Sequence, residues 1–145
     1  MNSADSTQEA RKVEEHLTEP EGGSETILLV DDEEPIRGLG TQILEEFGYT
    51  VLTAANGEGA LQLYSEEQEK IDMIILDLIM PGMGGKHCLV ELLKINLEAK
   101  VAIASGYSPD GPTKEILKNG AKGFISKPYD LRQMLKVVRE VLDQN

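Results

Sequence analysis

The chain has 145 residues, of which 40% are hydrophobic, and a formal net charge of −12. This length predicts one domain with a genuine core, and no apolar run reaches the roughly 18 residues that a membrane-spanning helix requires. The net negative charge disfavours direct nucleic-acid binding, which requires a basic face. The lack of a long apolar run disfavours membrane contact. The amino terminus lacks the apolar segment of a secretory signal. The single cysteine, Cys88, excludes an internal disulfide and predicts a reducing, cytoplasmic location.

Residues 1–24 are acidic and have no sustained apolar face. We interpret them as a tail or linker, disordered or transiently helical where Ser6 and Glu9 form a candidate capping box. This segment ends in Glu-Pro-Glu-Gly-Gly-Ser and is predicted to be dispensable for stability. The domain itself is predicted to occupy residues 25–145.

From Thr26 onward, short apolar runs alternate with segments of helical period, which is typical of βα units around a parallel sheet. Asn56 is a predicted helix cap, Gly48 and Gly120 are predicted helix ends, and the fourth helix is expected to begin near Thr113. The predicted strands span 26–30, 50–54, 73–76, 101–104 and 123–126. The apolar positions predicted to face inward from the helices are Ile36, Leu39, Ile43, Leu44 and Phe47, then Ala60, Leu61 and Tyr64, then Leu89, Leu92 and Leu93, and finally Leu131, Met134, Leu135, Val138, Val141 and Leu142.

Five alternating strands and helices predict an α/β fold, a three-layer sandwich with a doubly wound parallel sheet. The common strand order for such a flavodoxin-like sheet is 2-1-3-4-5, and its ligand site lies at the carboxyl ends of the strands. The residues that follow these ends are Asp31 and Asp32, Asp77, Ser105 and Gly106, and Lys127 and Pro128.

Three carboxylates at one edge repel each other unless a cation neutralises them, and hard oxygen ligands favour Mg²⁺. A metal and Lys127 would leave Asp77 between two positive charges, which suits attack of its carboxylate on a phosphoryl group. Ser105 can donate its hydroxyl to a phosphoryl oxygen, and the backbone N–H groups of Leu78 and Gly106 are candidates for others. Taken singly, each residue also fits a purely structural role, such as a helix cap or a surface turn.

The motifs at these strand ends resemble those of the response-regulator receiver family, over about residues 25–143. They are Leu-Leu-Val-Asp-Asp-Glu at 28–33, Leu-Asp-Leu-Ile-Met-Pro-Gly-Met-Gly-Gly at 76–85, Ala-Ser-Gly-Tyr at 104–107 and Gly-Phe-Ile-Ser-Lys-Pro at 123–128. The second motif is the most specific of the four.

The resemblance implies that Asp77 is the phosphoacceptor and that Lys127 contacts the phosphate. It implies Mg²⁺ held by Asp31, Asp32, Asp77 and the backbone carbonyl of Ile79. It also implies Ser105 as the switch hydroxyl, Phe124 as the rotating aromatic, and a cis Lys127–Pro128 bond. Such a domain catalyses its own phosphorylation and dephosphorylation without being a turnover enzyme, and its partner is a histidine kinase or a histidine phosphotransfer domain. A weak dimer is also compatible with the resemblance.

Ser-Gly-Tyr-Ser and Pro-Asp-Gly-Pro resemble the receivers of hybrid sensor histidine kinases, and the chain stops after its fifth helix. We therefore favour a hybrid-kinase receiver over a stand-alone single-domain regulator. A pseudo-receiver that serves only as an interaction module is one alternative, although no acid or lysine of the motif is lost. A phosphohydrolase of the haloacid dehalogenase type is another, but its Asp-x-Asp motif is absent, because Glu33 follows Asp32.

Overall fold

A computed structural model describes residues 20–106 and 112–144 of the chain. The predicted features of residues 1–19, including the capping box of Ser6 and Glu9, lie outside these residues, as does Tyr107 of the motif at 104–107.

Within the described residues, five parallel strands form one sheet in the order β2-β1-β3-β4-β5. The predicted fold class and strand order are therefore confirmed. The strands are β1 Thr26–Val30, β2 Thr50–Ala54, β3 Met73–Asp77, β4 Val101–Ser105 and β5 Gly123–Ser126. β3 and β4 each run one residue beyond the prediction, so Asp77 and Ser105 are the last residues of their strands.

A helix follows each strand, and the five cover both faces of the sheet. The helices are α1 Glu34–Glu46, α2 Gly57–Glu67, α3 Gly85–Ile95, α4 Pro112–Lys118 and α5 Leu131–Leu142. Asn56 caps α2 as predicted, because its Oδ1 accepts a hydrogen bond of 2.7 Å from Gly59 N. Gly48, which ends α1, has φ +100°, a conformation that side-chain-bearing residues rarely adopt.

The core has two parts, one on each side of the sheet. Leu28, Ile74 and Ile103 face the first part, which includes residues of α2, α3 and α4. Leu29 and Ile75 face the second part, which includes residues of α1 and α5. Because side chains alternate along a strand, these assignments also indicate to which side the residues at the strand ends point.

The inward face of α1 differs from the prediction at Leu39, which is 39% exposed. The position that turns inward is Gly40, where an added Cβ would lie 2.8 Å from Leu29 Cδ2 and 3.0 Å from Tyr129 Cε2. The assignment of Leu39 to the buried face was therefore wrong. The apolar pattern did not reveal that a glycine supplies the close contact between α1 and the sheet.

Gly22 and Gly23, just before β1, contact the domain, although the sequence assigns them to the tail or linker. Gly23 N donates to the carbonyl of Phe47 at 3.1 Å, and Arg139 Nη1 donates to the carbonyl of Gly22 at 3.2 Å. Arg139 also pairs with Glu25, whose Oε2 lies 2.7 Å from its Nη2. We call this group of Gly22, Gly23, Glu25 and Arg139 the N-terminal clasp. The domain boundary at residue 25 stays a prediction.

The described residues contain no helix that combines the length and the apolar character needed to cross a membrane.

Candidate functional site

The acidic pair lies directly after β1, where the sheet ladder ends. Asp31 is fully buried, and its N–H still donates to the carbonyl of Ala54 in the neighbouring strand at 3.2 Å. Its Oδ1 accepts a hydrogen bond of 2.9 Å from Glu33 N, which orients the carboxylate. Asp32 is exposed. The first acid is therefore fixed in place by the sheet, whereas the second faces solvent.

Asp77 ends the central strand β3 and is only 4% exposed. Its Oδ1 lies 3.3 Å from Lys127 Nζ and accepts a hydrogen bond of 3.3 Å from Ile79 N. Burial is the largest influence on this carboxyl and the charge of Asp31 adds to it, so that the pKa of Asp77 rises to about 6 despite the opposing effect of Lys127. The surroundings of Asp77 thus favour its protonated form more than water does.

Lys127 stands between the two buried acids. Its Nζ lies 3.0 Å from Asp31 Oδ2 and 3.3 Å from Asp77 Oδ1, with Glu33 Oε1 farther away at 3.8 Å. Burial works against the charged ammonium, but the close contact with Asp31 and the charges of both acids outweigh it and raise the pKa of Lys127. The peptide bond to Pro128 is cis, as the resemblance implied. The ammonium of Lys127 therefore contacts the carboxyl groups of both Asp31 and Asp77.

The three carboxylates form a group that fits a divalent cation. One oxygen from each of Asp31, Asp32 and Asp77 can be chosen so that all three lie within 4.8 Å of one another. Carboxylate oxygens without an accompanying histidine or cysteine suit a hard ion such as Mg²⁺. A single ammonium also leaves these three negative charges only partly neutralised. The arrangement can therefore bind a metal ion at the mouth of the site.

A cleft of about 460 Å³ opens beside these charges. It is lined by Asp77, Lys127 and Ser105, together with Glu33, Ile36, Ile79, Gly106 and Pro128. Ser105 is 3% exposed, whereas Gly106 and Ile79 are exposed. The sequence-predicted residues Asp77, Ser105, Gly106 and Lys127 are therefore brought together at one opening.

Phe124 lies in the edge strand β5, opposite Ile103 in the register of the parallel pair. Ile103 belongs to the core on the α2, α3 and α4 side, so the side chain of Phe124 is on that side as well. Ser105, two residues after Ile103, has the same orientation. Phe124 is partly exposed. The two residues predicted to switch together thus share one face of the sheet.

The structure corrects one predicted phosphate contact. The N–H of Leu78 donates to the carbonyl of Ala104 at 2.9 Å, which continues the ladder between β3 and β4 by one residue. This N–H is therefore engaged within the sheet and not directed at the site. The N–H of Ile79 is directed at the carboxylate of Asp77 instead. The ladder extends one residue further than the apolar run indicates, which is why the sequence pointed to the wrong amide.

Arg37 and Glu33 contribute to the site, although the sequence reading assigned them no role. Arg37 Nη1 donates to the backbone carbonyl of Asp31 at 2.7 Å and thereby ties α1 to the acidic loop. The only sequence signal for Arg37 is its position in the first turn of the helix that follows the acidic pair. Glu33, the third acid of the motif, adds negative charge near Lys127.

Comparison with known proteins assigns the family. Residues 27–139 match the response regulator receiver domain. The sensor kinase CckA of Brucella abortus is 37% identical over 84% of this chain, which spans only 13% of that kinase. The chemotaxis protein CheY of Treponema pallidum is 33% identical, and the match covers 85% of this chain and 86% of CheY.

A solved structure supports the same assignment. This is the CheX–CheY–BeF₃–Mg²⁺ complex of Borrelia burgdorferi, in which the matched chain has a TM-score of 0.79 and 34% identity. The match covers 83% of this chain and 90% of that one. Fold, strand order and sequence agree, and the chain belongs to the response regulator receiver domain family.

Proposed function

We propose that this receiver domain accepts a phosphoryl group on Asp77, with Mg²⁺ as the metal and Lys127 as the cation that contacts the phosphate. The observation that carries the proposal is the surroundings of the Asp77 carboxyl group. It is buried, lies 3.3 Å from an ammonium and belongs to a three-carboxylate cluster that fits a metal. A nucleophile placed between positive charges can approach a phosphoryl group whose own oxygens are negative.

The proposed reaction takes the phosphoryl group from a phosphorylated histidine of a partner protein. A carboxylate oxygen of Asp77 attacks the phosphorus, and a P–O bond forms while the P–N bond to the donor imidazole breaks. The electron pair of the broken bond stays on the imidazole nitrogen. Lys127 stabilises the negative charge on the phosphoryl oxygens during transfer. Attack requires ionised Asp77, which the ammonium beside it favours.

Mg²⁺ would be held by Asp31, Asp32, Asp77 and the backbone carbonyl of Ile79, and would neutralise charge on the transferring group. Of these residues, Asp31 is buried and oriented by Glu33 N, whereas Asp32 is exposed. The carbonyl of Ile79 is part of the proposal because its residue borders both Asp77 and the cleft. Binding would relieve the repulsion among the three acids.

We propose that the remaining phosphoryl oxygens are bound by the Ser105 hydroxyl and by the backbone N–H groups of Ile79 and Gly106. Ser105 and Phe124 would then carry the conformational switch, because they lie on the same side of the sheet in adjacent strands. Phe124 has no hydroxyl, so its contribution on turning inward is packing alone. The module would relay a signal through this change of conformation.

The donor is proposed to be a histidine kinase or a histidine phosphotransfer domain in the cytoplasm. The similarity to the CckA sensor kinase supports a place within a hybrid kinase, and the similarity to CheY supports a stand-alone regulator. We favour the hybrid kinase, because its receiver is the more similar in sequence. The full open reading frame decides between the two, since a hybrid kinase carries a transmitter module upstream.

Phosphorylation tests the main proposal. Intact-mass analysis after incubation with Mg²⁺ and acetyl phosphate should show one added phosphoryl group, and Asp77→Asn should show none. Asp72→Asn serves as the matched control, because Asp72 is an exposed aspartate at the opposite end of the same strand. Full phosphorylation of Asp77→Asn would refute the assignment of the phosphoacceptor.

Mg²⁺ titration tests the metal separately. Asp32→Asn keeps the size of the exposed acid but removes its charge, so Mg²⁺ affinity should fall about tenfold, as expected for the loss of one carboxylate ligand (about 1.4 kcal/mol). Asp72→Asn, whose side chain lies at the amino end of β1 and so at the opposite end of the sheet from the acidic pair, should leave affinity unchanged. Equal Mg²⁺ affinity of Asp32→Asn and the unmodified protein would exclude Asp32 as a ligand.

A further inference from the structure

Two buried side-chain oxygens lack a hydrogen bond among the residues that the structure describes, and they have complementary chemistry. One is Asp31 Oδ2 and the other is the hydroxyl oxygen of Tyr129. The charge of Asp31 Oδ2 faces Lys127 Nζ at 3.0 Å, but the oxygen has no hydrogen-bond donor in suitable geometry. A carboxylate oxygen accepts hydrogen bonds, whereas a phenol can donate one.

Tyr129 follows Lys127 by two residues in the chain. Its side chain is 7% exposed and belongs to the core between the sheet, α1 and α5. The ring contacts Gly40, where no side chain intervenes between α1 and the aromatic edge. Leu29 points to this side of the sheet, and the β1–β2 ladder continues through Asp31 N. The alternation therefore places the side chain of Asp31 on the same side as Tyr129.

The electrostatics around Tyr129 also indicate a donor role. Burial raises the pKa of Tyr129 far above its usual value, and the charges of Asp31 and Asp77 raise it further. The phenol therefore keeps its proton in all physiological conditions. A buried hydroxyl without a partner destabilises the fold, and phenylalanine would fill the same space without that cost. We therefore expect the hydroxyl of Tyr129 to form a hydrogen bond in another state of the domain.

We propose that Tyr129 is a positioning residue whose hydroxyl donates a hydrogen bond to Asp31 Oδ2 when Asp77 carries a phosphoryl group. The inference rests on the proposed function of Asp77. Lys127 is shared between Asp31 and Asp77 in the present arrangement. A phosphoryl group on Asp77 would draw the ammonium toward its own oxygens and away from Asp31 Oδ2. Tyr129 then supplies a donor that keeps the carboxylate of Asp31 oriented toward the metal.

Binding of Mg²⁺ and beryllofluoride, a stand-in for the phosphoryl group, tests this role. We expect Tyr129→Phe to bind beryllofluoride in the presence of Mg²⁺ about tenfold more weakly, as befits loss of one hydrogen bond to a charged group. Its melting temperature without metal should be unchanged or higher. A purely structural role predicts the opposite, a lower melting temperature with affinity retained.

Tyr64→Phe is the matched control. Its hydroxyl is also on a buried tyrosine, but it accepts a hydrogen bond of 3.0 Å from Asn96 Nδ2 on the other side of the sheet. This variant should lower the melting temperature and leave beryllofluoride affinity unchanged.

Tyrosine fluorescence gives a second measurement that uses the unmodified protein. Because a hydrogen bond to a carboxylate quenches phenol emission, beryllofluoride with Mg²⁺ should reduce the emission, and Tyr129→Phe should lose that component. Equal beryllofluoride affinity of Tyr129→Phe and the unmodified protein overturns the role of Tyr129, as does quenching that Tyr129→Phe retains in full. Failure of the unmodified protein to bind beryllofluoride would instead overturn the proposed function of Asp77.

Discussion

The carboxyl group of Asp77 combines reactivity with a cost to stability. It is buried beside Asp31, and only Lys127 among its described neighbours counteracts the rise of its pKa through its charge. A carboxyl group whose pKa is higher in the folded state than in the unfolded state makes the fold more stable at low pH, where the group is protonated, than at high pH, where it is ionised. The charge that the proposed chemistry needs is therefore one that destabilises the metal-free fold.

This relation predicts how Asp77→Asn affects stability at different pH values. The pKa rises from 3.8 to about 6 on folding, so the stability contributed by Asp77 is full below about pH 4 and is lost as the pH rises through 6. In EDTA at pH 7.5, Asp77→Asn should therefore unfold at a higher urea concentration, with a gain of about 2–3 kcal/mol. The gain should shrink toward pH 4. A gain that is the same at both pH values would contradict this explanation.

Ile79 is the exposed apolar residue at the mouth of the cleft. Its side chain is 59% exposed, and the residue borders Asp77 through its backbone. A branched apolar side chain can neither orient nor hydrogen-bond the water that would hydrolyse an acyl phosphate. We therefore expect a phosphorylated state that lasts minutes to hours.

Substitution of Ile79 tests this expectation. Ile79→Asn places a polar group on the path of the water and should speed loss of the phosphoryl group about three- to tenfold, up to about 1.4 kcal/mol in the barrier. Ile79→Val keeps the position apolar and should leave the rate unchanged. The decay of phosphoprotein after removal of acetyl phosphate gives the rates. Equal rates for Ile79→Asn and the unmodified protein would show that Ile79 does not limit the access of water to the acyl phosphate.

At the scale of elements, α5 is joined to the start of β1 through the N-terminal clasp. Arg139 Nη2 contacts Glu25 Oε2 at 2.7 Å and Asp143 Oδ1 at 2.8 Å, and its Nη1 donates to the hydroxyl of Tyr49 at 3.2 Å. The hydrogen bond with Arg139 is the main reason that the pKa of Glu25 is lowered. The clasp thus links the last helix to the first strand by charge as well as by packing.

Because the pKa of Glu25 is lowered on folding, its contribution to stability is present above about pH 4.5 and is lost as the pH falls through the folded value. Glu25→Gln should therefore lower the melting temperature at pH 7, and the difference from the unmodified protein should narrow in more acidic buffer. Asp143→Asn is the control, since its side chain is 60% exposed and should matter little. A difference that grows on acidification would contradict the ion pair.

At the scale of the whole molecule, alternation of strands and helices was enough to predict the strand order and to bring Asp31, Asp77, Ser105 and Lys127 to one edge. The carboxyl ends of parallel strands in a doubly wound sheet lie at the same edge, so residues that follow different strands in the sequence are close together in space. The roles of these residues remain proposals. The carboxylate cluster and the cleft nevertheless lie where the sequence indicated.

The features that the sequence did not predict arise from contacts between distant segments. Arg37 reaches the carbonyl of Asp31, and Tyr129 packs on Gly40, without any periodic pattern that identifies either contact. The same is true of Gly22 and Gly23, which composition alone assigns to a linker. An added Cβ at Gly22 would clash with the backbone carbonyl of Phe47, which cannot move aside as the end of a flexible side chain can, so close packing requires this glycine.

Truncation tests where the folded unit begins. A protein that starts at Pro20 should keep its melting temperature, because it retains the clasp. A protein that starts at Ser24 loses the hydrogen bonds of Gly22 and Gly23, each of which contributes about 1 kcal/mol, so it should melt several degrees lower. Equal melting temperatures of the two truncated proteins would support the predicted boundary at residue 25.

The N-terminal clasp also determines from which side the chain enters the domain at Gly22. It lies at the amino end of β1, whereas Asp31 follows the carboxyl end of the same five-residue strand. At about 3.3 Å per residue, β1 separates the two by roughly 17 Å. A module joined through Gly22 would therefore hold the domain from the side opposite its acidic cleft. The phosphoacceptor edge would stay open to a histidine partner, and a fluorophore or surface linkage attached ahead of Pro20 should leave that approach unobstructed.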